Sequence, residues 1–211
     1  MAVLPAQLPP RALAGVKVAV FLLCLLPAGL IVAGLLAGSL GINPIESMIR
    51  QFGEWALRLL LITLAVTPLR QLTGAAWLVR LRRMLGLFAF TYVLLHFTAY
   101  FVFEQSARLG LVLEDVAKRP YILVGAAALL LLIPLAVTST NGWMRRLGRR
   151  WKRLHWLVYP IAVLAVFHFF MLIKAEDYSR PLLYAGILMV LLGYRLQRGA
   201  RGRMRRQRVH A

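Results

Sequence analysis

Three of the four histidines in this chain lie in or beside long apolar stretches. His96 closes RRMLGLFAFTYVLLH, and His155 and His168 both fall in LGRRWKRLHWLVYPIAVLAVFHFF, while His210 sits in a basic tail and reads as solvated. Imidazole is costly in hydrocarbon and adds nothing to insertion, so an ionisable group there is a site candidate facing a bundle interior. A histidine hydrogen-bonded to a helix neighbour is the plain alternative for any one of them. Three in two stretches argue against it for the set.

Depth narrows the chemistry. His96 lies thirteen residues beyond Arg83 and eight before Glu104; His168 lies fifteen beyond Arg153 and six before Lys174. At about 1.5 Å per helical residue the two imidazoles sit within about 3 Å of one height. Two imidazoles from different helices at one level, with no carboxylate or thiolate nearby, suit the two faces of a haem. A di-iron site would need Glu and Glu-x-x-His motifs, and a proton relay would need acids at that depth. His155 lies about 20 Å lower on an ideal helix, about 140° out of phase with His168 unless Pro160 re-aims it. The position equivalent to it on the other helix is Arg83 rather than a histidine. His155 therefore marks an inner site of open occupancy: a second haem with an unusual partner, a propionate, a flavin or a quinone.

These residues must be positioned by membrane helices. The chain has 211 residues, 61% hydrophobic and 16% charged, against about 25% charged in soluble domains. Apolar runs long enough to cross a bilayer core number six: roughly 17–38, 54–69, 84–104, 120–138, 154–173 and 181–196. The expected fold is an all-α, polytopic six-transmembrane-helix bundle, one domain over 1–211 with a basic tail at 197–211. Between the first two spans, NPIESMIRQFG (Asn43–Gly53) reads as a short surface helix with an Asn cap and Pro in its first turn. Glu54 and Arg58, four residues apart, read as a local ion pair with Arg58 snorkelling outward. The single cysteine, Cys24, excludes disulfides and cysteine metal sites.

Charge orients the bundle. Six spans place 19 of the 26 cations and no acid on the side of the N-terminus, and all seven acids with the other seven cations opposite. The positive-inside rule makes the basic side cytoplasmic, with both termini there. Attraction to anionic headgroups accounts for most of these cations; a dock for a cofactor phosphate or redox donor is the sharper reading. Nucleic acid is not indicated, because the basic runs are juxtamembrane and no fold presents them.

The segment VTSTNGWMRRLGRRWKRLHWLVY (Val137–Tyr159) carries T-S, then L-G-x-x-W-x-x-L-H-x-L-x-Y, then a histidine thirteen residues later. This resembles the ferric reductase-like transmembrane domain, a superfamily that includes eukaryotic ferric reductases and NADPH oxidases. RRMLGLFAFTYVLLH looks like its first ligand-bearing helix. ITLAVTPLR (Ile62–Arg70) and the absence of an appended flavin/nucleotide domain resemble its bacterial branch of membrane subunits serving a periplasmic methionine sulfoxide reductase. The likeness covers about residues 15–196.

That resemblance implies haem b, one or two, and FMN, in a multi-pass protein of the bacterial inner membrane. Electrons would pass from the quinone pool to a periplasmic molybdopterin methionine sulfoxide reductase subunit that repairs oxidised proteins. His96, His155 and His168 match the haem-linked histidines of the superfamily. Its usual pattern has two histidines on each ligand helix, whereas here the third span has only His96. Arg82, Arg83 or the Arg145–Arg153 loop are the places for an FMN phosphate. A stand-alone ferric or flavin-linked reductase is the nearest alternative; a proton-coupled transporter or an assembly subunit is the alternative in another class. No symmetry between inverted three-helix halves, which transport would favour, is visible.

Overall fold

The computed structural model describes residues 5–172 and 178–209, with side chains through Arg198. Among these residues every regular element is helical: α1 (Pro10–Leu36), α2 (Pro44–Thr73), α3 (Arg82–Ala99), α4 (Leu109–Lys118), α5 (Pro120–Val137), α6 (Asn141–Leu147), α7 (Arg149–Leu154), α8 (Val158–Leu172) and α9 (Ser179–Val209). Single 3₁₀ segments, Ala76–Leu81 and His155–Leu157, lead into α3 and α8, and a π turn, Tyr100–Glu104, ends α3.

Five stretches are long and apolar enough to cross a membrane: Pro10–Leu36, Pro44–Thr73, Ala76–Glu104, Pro120–Val137 and Arg149–Leu172. They coincide with the first five expected spans. The sixth, 181–196, is the first half of α9 and is not among the five; Arg180 and Arg195 flank its apolar run and the helix continues into the basic tail. Lys174, Glu176, Asp177 and His210 lie outside the described residues.

The expected separate surface helix at Asn43–Gly53 does not form. That segment is the opening of α2, which runs unbroken for 30 residues. Its cap is as expected: the Asn43 side chain accepts from the Glu46 amide and donates to the Glu46 carboxylate, and Pro44 opens the helix. Nothing after Gly53 stops the helix, because the single glycine costs only about 1 kcal/mol and packing on both sides offsets it. Gly74, in the left-handed region at φ 75°, ends it.

Packing makes α2 the centre. Met48, Phe52, Ala56, Leu57, Leu59, Leu60, Leu61 and Leu64 are all buried. It pairs most extensively with α3, as α5 does with α8, so the core is two antiparallel helix pairs, with α9 closing against α2 and α8. By contrast, α1 shows Phe21, Leu22, Leu25, Leu26 and Leu30 outward, the pattern of a lipid-facing helix. Tyr92 of α3 pins it. Its buried hydroxyl donates to the Cys24 carbonyl at 2.7 Å and accepts from the Ala28 amide at 2.9 Å, beside Pro27, which has no amide proton to give.

Arg58 does not simply snorkel. Glu54, 7% exposed, accepts from Arg58 at 2.6 Å and from Tyr184 of α9 at 2.8 Å, and Arg58 Nε also bonds Tyr184. The pair thus ties α9 to α2. The segment after α3 is similarly anchored. Tyr100 and Gln105 both donate to Asp115 of α4.

Candidate functional site

The two central helix pairs meet through their histidines. His96 from α3 and His168 from α8 face each other with ring centres 6.3 Å apart and planes at 79°. Each ring is held from behind by a carbonyl one helix away. His96 Nδ1 lies 2.8 Å from the Ile49 oxygen and His168 Nδ1 lies 2.7 Å from the Tyr121 oxygen. A carbonyl only accepts, so each Nδ1 carries the proton and each Nε2 keeps its lone pair. This is the outer-shell bond that orients metal-binding imidazoles.

Glycine makes the close approach possible. A methyl group at Gly53 would lie 3.0 Å from His96 Nδ1, and one at Gly125 would lie 2.9 Å from His168 Cε1. Any larger residue would push the ring off its carbonyl. Both halves are built alike. In each, the histidine follows its carbonyl partner by 47 residues, with the glycine one turn after that partner. A second offset, 72 residues in each case, separates Ile49 from Tyr121, Gly53 from Gly125 and His96 from His168. The α2–α3 and α5–α8 pairs are therefore a repeated unit, not an inverted one. Sequence reasoning passed over Ile49, Gly53, Tyr121 and Gly125. The signal was the shared spacing of a glycine and a histidine.

The pair suits a metal carried in a flat macrocycle. Metal–nitrogen bonds of about 2.0–2.1 Å on both sides, with the radius of each ring added, separate imidazole centres by about 6 Å. Among the described residues no three of His, Cys, Asp and Glu converge to hold a bare ion. Among the described residues, two facing imidazoles with no third ligand fit a haem and not a tetrahedral site.

His155 stands apart from this pair. It occupies the 3₁₀ segment before α8, so the straight-helix phase relation to His168 does not hold there. Its Nδ1 lies 3.1 Å from the Trp151 carbonyl, and the Trp151 ring stacks on it at 3.9 Å. The Trp151 indole in turn donates to the Thr138 carbonyl at 2.9 Å. The T-S…W…H motif is thus one physical chain, from the end of α5 through the indole to the imidazole. His155 Nε2 is buried without a protein partner.

Arg83 points elsewhere. It is exposed and donates to Asn141 at the start of α6, 2.6 Å away. Its neighbour Arg82 turns inward. Arg82 donates to Thr67 of α2, and its Nε is buried without a protein partner.

Comparison with known proteins identifies the family of the chain. The family model of the ferric reductase-like transmembrane component matches residues 52–166. The chain is 58% identical over 158 residues to the protein-methionine-sulfoxide reductase heme-binding subunit MsrQ of Xanthomonas campestris pv. campestris (strain 8004), covering 75% of this chain and 72% of that protein. It is 53% identical over 188 residues to the subunit of the same name from Rhodospirillum rubrum, covering 89% and 90% respectively. No solved structure matches the chain.

Proposed function

Because the chain belongs to the ferric reductase-like transmembrane family, and within it to the MsrQ haem-binding subunits, we propose that it is the b-type cytochrome of a methionine sulfoxide reductase system. It sits in the bacterial inner membrane with its basic end and both termini in the cytoplasm, α9 supplying the sixth crossing. It relays electrons from the quinone pool, through FMN and haem, to a periplasmic molybdopterin subunit of the MsrP kind. That partner reduces methionine sulfoxide in oxidised proteins.

The observation that carries this reading is the opposed pair His96–His168, each ring backed by a carbonyl and a glycine. A haem held there supplies a reversible one-electron carrier. The residues do the rest. His96 and His168 would hold the haem iron, one histidine from each helix pair, and a haem so held would supply electron transfer rather than oxygen chemistry. The Ile49 and Tyr121 carbonyls fix the tautomer and plane of each ring, so the ligand nitrogens do not reorient as charge changes. The surrounding apolar helices exclude water. His155, held by Trp151 at Nδ1 and across its ring face, marks the inner haem or cofactor position.

Reduction of the purified protein with dithionite tests the cytochrome. A b-type α-band is expected, and His96→Ala and His168→Ala should each remove the outer haem. A colourless preparation, or unchanged spectra in both variants, sinks the proposal. Quinol oxidation measured with and without the periplasmic subunit tests the relay. Electrons should reach methionine sulfoxide only with the partner present; partner-independent reduction of ferric chelates at equal rate would instead favour a stand-alone ferric reductase.

A further inference from the structure

We propose that Arg82 and Arg195, with Tyr159 between them, form a binding site for a phosphate monoester at the basic end of the bundle. The site itself stands on its own observations; identifying the phosphate as that of FMN rests on the reading above and deepens it.

Four helices converge there. Arg82 opens α3, Tyr159 lies in the first turn of α8, Arg195 belongs to α9, and Leu64 and Thr67 occupy one turn of α2. Arg195 donates to the Leu64 carbonyl at 2.7 Å and to the Tyr159 hydroxyl, over whose ring its guanidinium lies at 5.1 Å. Arg82 donates to Thr67. The two guanidiniums are close enough to repel each other, and Arg70 adds to the repulsion on Arg82.

No carboxylate answers them. Every acid among the described residues (Glu46, Glu54, Glu104, Glu114 and Asp115) belongs to the opposite end of the bundle, and the arginines bond instead to Thr67, Tyr159 and Leu64. Arg58 shows the contrast. It is partly buried too, but Glu54 neutralises it.

Topology alone does not explain the inward pair. An arginine held only by the positive-inside rule extends its head into water. These two instead keep Nε inside the protein, with no partner. Among the described residues four buried side-chain nitrogens lack partners: those of Arg82 and Arg195, the Trp77 indole and His155 Nε2. All four belong to residues of the basic end. Buried guanidinium N–H groups without acceptors, beside a like charge, are costly unless an anion supplies both acceptors and charge. A phosphate monoester carries about −1.5 to −2 charges and three acceptor oxygens near neutral pH, which matches two guanidiniums where one carboxylate would not. Tyr159 accepts from Arg195, so its own proton is free to donate to the same group.

FMN and riboflavin differ only in the phosphate and serve as paired probes. The full chain in nanodiscs of zwitterionic lipid would be titrated with each by flavin fluorescence. Wild type should prefer FMN by at least about tenfold, as expected for charged hydrogen bonds. Arg82→Gln and Arg195→Gln should each bring the ratio close to one, while Arg80→Gln, on an exposed neighbour, should leave it unchanged. A monodisperse elution profile shows that a variant is folded. Where a glutamine variant fails that check, Arg82→Lys and Arg195→Lys replace it, keeping the charge but losing the Nε–H, and should give an intermediate preference.

Equal binding of the two flavins by wild type, or an intact preference in the arginine variants, overturns the site. Displacement of FMN when phosphatidic acid is added to the discs overturns the cofactor assignment in favour of a lipid headgroup. Loss of haem with the FMN preference intact overturns it in favour of a propionate. The relay fails separately: a phosphate preference without any b-type spectrum would leave this site standing and remove the cytochrome.

Discussion

At the scale of single residues, the histidine pair depends on groups that carry no reactive chemistry. Gly53 and Gly125 are defined by what a side chain would strike, a ring edge at 3.0 Å and 2.9 Å respectively. A Cβ at such a distance forces the imidazole to rotate or retreat, loosening its bond to the carbonyl behind it. Gly53→Ala and Gly125→Ala should therefore both lower haem content and shift the midpoint potential of the outer haem, measured by pyridine haemochrome and spectroscopic titration. Gly125→Ala should be the more severe, because its three nearest ring atoms are all closer. An alanine variant with wild-type haem content and potential would contradict the role assigned to these glycines. Trp151→Phe retains the aromatic face toward His155 but loses the donor to Thr138. It should perturb whatever binds at His155 while leaving the His96–His168 spectrum intact.

At the scale of elements, polar side chains join helices whose apolar surfaces would otherwise slide past one another. Tyr92 joins α3 to α1 through a turn of backbone. Tyr92→Phe should cost about 1 kcal/mol, the net value of a typical hydrogen bond. A lowered thermal midpoint in detergent would record the loss, together with faster proteolysis within α1. Tyr184 has the same duty between α9 and α2, contacting both Glu54 and Arg58. Tyr184→Phe should loosen α9 without disturbing the haem proposed between α3 and α8, so thermal stability falls while the α-band remains. Simultaneous loss of both signals would mean that α9 supports the ligand helices directly.

At the scale of the whole molecule, two like-oriented helix pairs placed face to face bring one histidine from each to a shared centre. Such pairing would give a small chain the two-sided ligand set proposed above. Each half needs only a carbonyl, a glycine and a histidine at fixed spacing. The proposed orientation in the membrane rests on charge and is tested by labelling. In a Cys24→Ala background, Arg108→Cys should react with an impermeant maleimide from the periplasm, and Arg146→Cys only after lysis. The reverse result would invert the bundle and place the histidine pair on the cytoplasmic side.

The sequence by itself determined the class of fold, the separation of the acids from the basic runs along the chain, and which histidines the apolar helices carry. Span length, hydropathy and the segregation of acids are local or additive properties, which survive reading residue by residue. It did not determine that Asn43–Gly53 continues into α2, since helix continuity there depends on packing from α3. Nor did it separate Arg82 from Arg83: adjacent helix residues point about 100° apart, and only neighbouring helices decide which direction is inside. The same holds for the distance between His96 and His168. Rise per residue set their heights, but their facing orientation arises where two repeated helix pairs meet, a contact no single segment encodes.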